Sequence, residues 1–253
     1  MNPVKTSPGP QLDPAAFSAR FSAGAVAAGF AEEKFGLIGE DGLFAYTKPA
    51  AGRPRIYLSA GVHGDEPAPP WALLHLVQKG CLDDRCAWYL CPLLNPAGFR
   101  RATRENAAGL DLNRDYKSPR SPEVQAHVSW LQRQPQFDVV FCVHEDWEAQ
   151  GFYLYELNPR NRPTLAHALL AGARAHCPIE TATTIDGRPS AEPGIIRPVS
   201  DPLLRETWPE AIYLCEHHGT LHYTIESPSG LPLEQRVATL TAAISAALEE
   251  FLK

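Results

Sequence analysis

Residues 139–143, Val-Val-Phe-Cys-Val, form an apolar run with no polar residue in alternate positions. A strand that keeps one face in water alternates apolar and polar side chains, because successive side chains point to opposite faces. A run without alternation has to be covered on both sides. The architecture that does this places helices on both faces of a largely parallel sheet. The run is therefore read as a strand buried on both faces of a sheet.

The other segments supply the layers. Residues 13–30 read as a helix, with Asp13 as N-cap and Pro14 at the first helical position. Residues 34–48 read as two short strands about a Glu-Asp-Gly turn. Strands are then expected at 55–62, 87–94, 137–144, 151–157 and 221–227. Helices are expected at 67–80, from the cap Ser121 onward, at 163–176 and at 231–253, with a long loop over 95–120. Strand and helix alternate nearly throughout. The expectation is one three-layer α/β/α domain with a mixed, mostly parallel sheet over residues 13–253, behind a loose Pro- and Ser-rich tail at 1–12.

Composition narrows the function. A formal net charge of −6 excludes a general nucleic-acid or membrane-surface binder, which needs a positive field. Between residues 100 and 120, however, Arg100, Arg101, Arg104, Arg114, Lys117 and Arg120 outnumber three acids, a balance suited either to a small anionic ligand or to a solvated loop. The six cysteines show no CxxC pair, and Cys91, Cys142 and Cys215 fall in apolar runs, where a thiol serves as a small buried hydrophobe. The N-terminus lacks the apolar core of a signal peptide, and no stretch approaches the length needed to span a bilayer. A cytoplasmic protein is expected; the oligomeric state is left open.

In α/β folds ligands bind at the carboxyl ends of strands. Polar residues collect at four such places: His63 and Glu66 after the 55–62 strand, Asn95 and the arginine-rich loop after 87–94, His144 with Glu145 and Asp146 after 137–143, and Glu226 at the end of 221–225. Each alone is ordinary. Together His63, Glu66 and His144 make a two-histidine, one-carboxylate set that leaves zinc one open position for water. Glu226 then suits the general base, and arginines of the loop suit an oxyanion and an anionic substrate end.

These residues resemble the zinc carboxypeptidase (M14) family from about residue 53 onward. The ligand motif HxxE matches His63-Gly-Asp-Glu66, and the third ligand matches His144. "NPAG" at 95–98 is similar to the family's Asn-Pro-Asp-Gly turn, and "RENAAGLDLNRDY" to its substrate-binding loop. The resemblance implies that Asn113 and Arg114 hold a terminal carboxylate and that Arg104 polarises the scissile carbonyl. It implies that Asp111 orients a zinc-bound histidine and that Glu226, in "YTIESP", is the general base. It also implies an eight-stranded mixed sheet, one Zn2+ per chain, and a small peptide or acyl-amino-acid substrate with a free carboxylate.

The chain departs from the digestive enzymes in two ways. Their mobile tyrosine has no counterpart at the right spacing, since only Tyr213 falls in that window. Glu145-Asp146-Trp147 also follows the third ligand, where two acids can either receive a substrate amino group or pair with nearby arginines. The segment "GVHGDEP" is most similar to the bacterial murein peptide amidase-type branch, which cuts a γ-glutamyl bond. The alternative is the succinylglutamate desuccinylase/aspartoacylase branch, which removes an acyl group. Against it stand the separation of Asn106 from Asp111 and the single helix after Glu226. A catalytically silent binding protein is the third reading, opposed by the presence of Glu226. Specificity residues are expected between 180 and 220, with Asp186, Arg188 and Arg197 as polar candidates; His217 and His218, on neighbouring positions of an assumed strand, are not expected to bind metal.

Overall fold

A computed structural model describes residues 12–219 and 221–253. The expected tail therefore lies outside the described residues except for Leu12, which is buried against the core. Among the described residues ten strands and seven α-helices run in the order α1 (Pro14–Ala27), β1 (Ala31–Ile38), β2 (Asp41–Lys48), β3 (Arg55–Ser59), α2 (Ala68–Gln78) and β4 (Ala87–Cys91). There follow α3 (Pro96–Arg101), α4 (Pro122–Leu131), β5 (Val139–Asp146), β6 (Tyr153–Leu157) and α5 (Ala166–Ala173). The short strands β7 (Thr184–Ile185), β8 (Arg188–Pro189) and β9 (Ile195–Ile196) precede α6 (Glu210–His217), β10 (His222–Pro228) and α7 (Leu233–Phe251).

Eight strands form one sheet in the order β1-β2-β4-β3-β5-β10-β6-β9. Its centre, β4-β3-β5-β10, is parallel; β1, β2 and β6 join antiparallel neighbours, so the sheet is mixed as expected. Alternation along the strands sorts the core. Ile56, Leu58, Val139, Phe141, Val143, Tyr223 and Ile225 pack with α1, α2, α5 and α7, whereas Tyr57, Val140 and Cys142 pack with α4 and α6. The run that predicts a doubly covered strand is β5, and Val139–Val143 are all buried.

Two helices lie where none is expected. The 95–120 loop contains α3, six residues long, which starts on Asn95 as N-cap and ends in a left-handed residue, Ala102 at φ +50°. Residues 210–217 form α6, so His217 and His218 sit at a helix end instead of in a strand. Cys215 accordingly is only half-buried.

Candidate active site

The site is built where the parallel strands end. Beyond β3 the chain turns through residues 60–66, with Gly61 at φ +68°. Gly64 presses on α3 so closely that a Cβ there would lie 2.0 Å from the Gly98 carbonyl carbon; only glycine fits. Asn95 fixes the same turn. Its Oδ1 accepts the Gly98 N–H at 2.9 Å, and its Nδ2 donates to the Val62 and Arg104 carbonyls at 3.2 Å. One buried amide thus locks the His63 turn to the arginine-rich loop.

His63, Glu66 and His144 converge, each offering a donor atom within 4.8 Å of the others. His63 Nδ1 lies 2.6 Å from Glu66 Oε1, and His144 Nδ1 lies 3.0 Å from Glu66 Oε2. All three are buried. Burial opposes charge on Glu66, but the two histidines outweigh it and hold the carboxylate ionised well below its usual range. Burial likewise opposes charge on His63, yet Glu66 and Asp111 raise its pKa to about 9. For His144 burial, the largest cause, shifts the pKa down. The other ring nitrogen of His63, Nε2, faces Asp111 Oδ1 at 3.1 Å, the arrangement in which a carboxylate fixes the tautomer and orientation of a metal-bound imidazole. Two imidazoles and one ionised carboxylate, buried together beside an open cavity, fit a divalent zinc-type ion.

The other expected residues surround that cavity, whose volume is about 430 Å³. Glu226 on β10 is in register with His144 on β5 and with Tyr153 on β6, so all three project from one face. Burial, and then the charges of Glu66, Asp146 and Asp186, push the Glu226 carboxyl well above its usual pKa. Arg104 Nε donates to Asp111 Oδ2 at 3.0 Å, and its Nη1 lies 3.7 Å from Glu66 Oε1. Asp111 also caps the 3-10 turn Leu112–Arg114 by accepting the Asn113 N–H at 2.9 Å. Asn113 Oδ1 in turn accepts the Glu210 N–H at 2.9 Å, and its amide NH2, with no hydrogen bond among the described residues, can donate to a ligand. Arg114 lines the cavity beside it.

Beneath Asn113 runs a closed polar chain. Glu210 accepts the Tyr57 hydroxyl at 2.8 Å and the Ser59 hydroxyl at 2.9 Å. Tyr57 and Tyr116 hydroxyls flank the two ring nitrogens of His127 at 2.9 and 2.8 Å. Burial lowers the His127 pKa to about 3, so the ring is neutral and one proton arrangement satisfies every member: Tyr116 to His127, His127 to Tyr57, Tyr57 to Glu210.

Some expectations change. The Glu145 side chain has no exposure and bonds Arg236, so of the two uses open to it pairing with an arginine holds, and it cannot receive a substrate amine. Asp146 remains in the cavity wall, where it accepts the Tyr153 hydroxyl at 2.9 Å. Asp186 and Arg188 reach the cavity from the β7–β8 hairpin, whose two-residue tip, Asp186-Gly187, takes positive φ at both positions. Arg197 does not line it; it pairs with Glu156 and Glu192 elsewhere. Tyr153, Tyr155 and Arg205 line the cavity without having been singled out, although tyrosines two apart in a strand share a face and were a readable signal. Tyr213 is buried in the core with α6.

The fold is a carboxypeptidase-like sheet, and its donor set could hold a metal ion. Residues 52–252 match the succinylglutamate desuccinylase/aspartoacylase catalytic domain, and the chain belongs to that family, within the zinc carboxypeptidase (M14) fold that the motifs resemble. A crystal structure of a candidate metallopeptidase from Shewanella amazonensis SB2B superposes with a TM-score of 0.81 at 26% identity, over 92% of this chain and 91% of that one. A metallo-carboxypeptidase from Burkholderia cenocepacia shares the fold, with a TM-score of 0.67 at 21% identity over 92% of this chain and 68% of that one. Carboxypeptidase D of Anas platyrhynchos is 30% identical over 154 residues, 45% of this chain and 11% of that much longer protein.

Proposed function

We propose that the chain is a zinc-dependent hydrolase that cleaves the amide bond next to a free carboxylate, releasing the C-terminal residue of a small peptide or of a γ-glutamyl peptide such as those of murein. The observation that carries this reading is the meeting of His63, Glu66 and His144 with Glu226, Arg104, Asn113 and Arg114 around one cavity. His63 and His144, as neutral imidazoles, and Glu66, as a carboxylate, would hold the ion. When bound, zinc supplies an open position at which water becomes acidic enough to serve as a nucleophile near neutral pH.

The residues then divide the work. Glu226, in register with His144 and lining the same cavity, takes the proton of the attacking water and delivers it to the departing amine. Arg104 stabilises charge that develops on the carbonyl oxygen. The free NH2 of Asn113 and the guanidinium of Arg114 hold the terminal carboxylate. Arg188 and Arg205 widen the cationic wall, and burial followed by Arg188 and Arg114 depresses the Arg205 pKa, as expected of a cation crowded by cations. The arginines suit a substrate carboxylate, whereas Asp146 and Asp186 make another part of the same wall acidic.

A second reading is favoured by the family match: removal of an acyl group from an N-acyl amino acid, using the same residues. Hydrolysis by the zinc-loaded protein, followed by mass spectrometry, separates the two. The panel contains L-Ala-γ-D-Glu-meso-diaminopimelate, dipeptides and tripeptides with varied C-termini, and N-acetyl and N-succinyl amino acids. Release of a C-terminal residue supports the first reading and release of an acyl group the second. Silence across the panel contradicts both.

A further inference from the structure

Glu145 directly follows the ligand His144, yet none of the roles above uses it. Its fully buried carboxylate makes two bonds, Oε1 with Arg236 Nη1 of α7 at 2.5 Å and Oε2 with the Ala68 N–H at 2.9 Å. Its main-chain N–H donates to Glu66 Oε2 at 3.1 Å. Ala68 opens α2 only two residues after the ligand Glu66. One residue therefore touches the strand that carries His144, the carboxylate of Glu66 and the helix that follows Glu66.

The sequence of α2 explains why this link matters. The N-cap is Pro67, which provides no side-chain cap, and the next positions read Ala68-Pro69-Pro70. Prolines have no N–H, so Ala68 carries the one amide donor in the first three helical positions, and a helix start needs an acceptor for it. Glu145 supplies that acceptor from another strand. Arg236 in turn neutralises a buried carboxylate that would otherwise face Glu66, a second carboxylate, uncompensated.

We propose that the Arg236–Glu145 pair is the positioning device of the metal site, setting metal affinity by fixing Glu66 and His144 relative to each other. The proposal rests on the metal reading above. Its scale follows from partners behind metal ligands elsewhere, whose loss weakens metal binding by about 10- to 100-fold.

The test is the zinc dissociation constant, measured by competition with a chromophoric chelator on the full chain, alongside thermal unfolding. Arg236→Met is expected to bind zinc about 10- to 100-fold more weakly. The double variant Glu145→Met, Arg236→Met removes both charges, so it keeps its fold but not its zinc affinity, with a loss of at least about tenfold. Leu240→Ala, a core truncation on the same helix, is the control for general loosening: it lowers the unfolding temperature and leaves zinc affinity within about twofold. A folded double variant with wild-type zinc affinity overturns the proposal, as does a Leu240→Ala variant that loses zinc as strongly as Arg236→Met. Failure of the wild-type protein to bind zinc overturns the metal reading itself, and this proposal with it.

Discussion

At the scale of single residues, the site depends on which groups are held charged. Glu210 is the clearest case outside the metal triad: burial raises its pKa from 4.5 to about 7, although Tyr57 and Ser59 donate to it. A carboxyl that holds its proton more tightly when folded stabilises the fold while protonated. The resulting penalty sets in as pH rises from about 4.5 and is complete above about 7, where it reaches roughly 3 kcal/mol. Glu210→Gln carries no such charge. Denaturant unfolding of both proteins at pH 5 and pH 8 is expected to shift the stability difference by roughly 2.5 kcal/mol in favour of glutamine at pH 8, part of the penalty being present already at pH 5; an unchanged difference contradicts it. Arg114→Met is expected to raise KM about 10- to 100-fold with kcat little changed, because a carboxylate clamp acts equally on substrate and transition state. Steady-state kinetics on the best substrate of the panel decides this, and a fall in kcat alone would place Arg114 in the chemical step.

At the scale of elements, the metal turn works by close approach to α3. A methyl group at position 64 would collide with the Gly98 carbonyl carbon, which is backbone and cannot rotate away. Gly64→Ala is therefore expected to cost about 3 kcal/mol of stability, read by denaturant unfolding; a loss below about 0.5 kcal/mol contradicts the packing. Elements also show what the sequence disclosed. The 139–143 run was readable as β5 because it is short and rich in β-branched valine, and a strand without alternation is covered on both faces. Residues 210–217 were missed as α6 because five apolar residues in succession, Ala211 to Cys215, suit a strand as well as a buried helix. The Asn95-Pro96 pair is a helix-start signal, but six residues are too few to show a period, so α3 passed as loop. Glu145 was ambiguous for another reason: its partner Arg236 lies 91 residues away, and no local pattern encodes that pairing.

At the scale of the whole molecule, the proposed function rests on topology. The parallel centre of the sheet brings β3, β5 and β10 side by side, so the proposed ligands and base, far apart in sequence, meet at one edge. The triad and Glu226 were legible because each belongs to a short motif at a strand end. The cavity's far wall was legible only in part: Asp186 and Arg188 sit on a hairpin whose approach to β6 depends on tertiary packing. Among the described residues, no helix is long and apolar enough to cross a membrane. A metal that binds the folded chain alone stabilises it by about 4 kcal/mol at a thousandfold excess over its dissociation constant. Scanning calorimetry with and without a chelator is expected to show a lower unfolding temperature for the metal-free protein; coincident transitions would mean that no metal is held.

The central claim, that Glu226 performs proton transfer beside a zinc ion held by His63, Glu66 and His144, is tested most directly by comparing kcat for the wild type and Glu226→Gln at measured, equal zinc content. The expected result is a loss of about 10²- to 10⁴-fold with zinc fully retained. Turnover by Glu226→Gln at the wild-type rate would remove Glu226 from the chemistry and contradict the account.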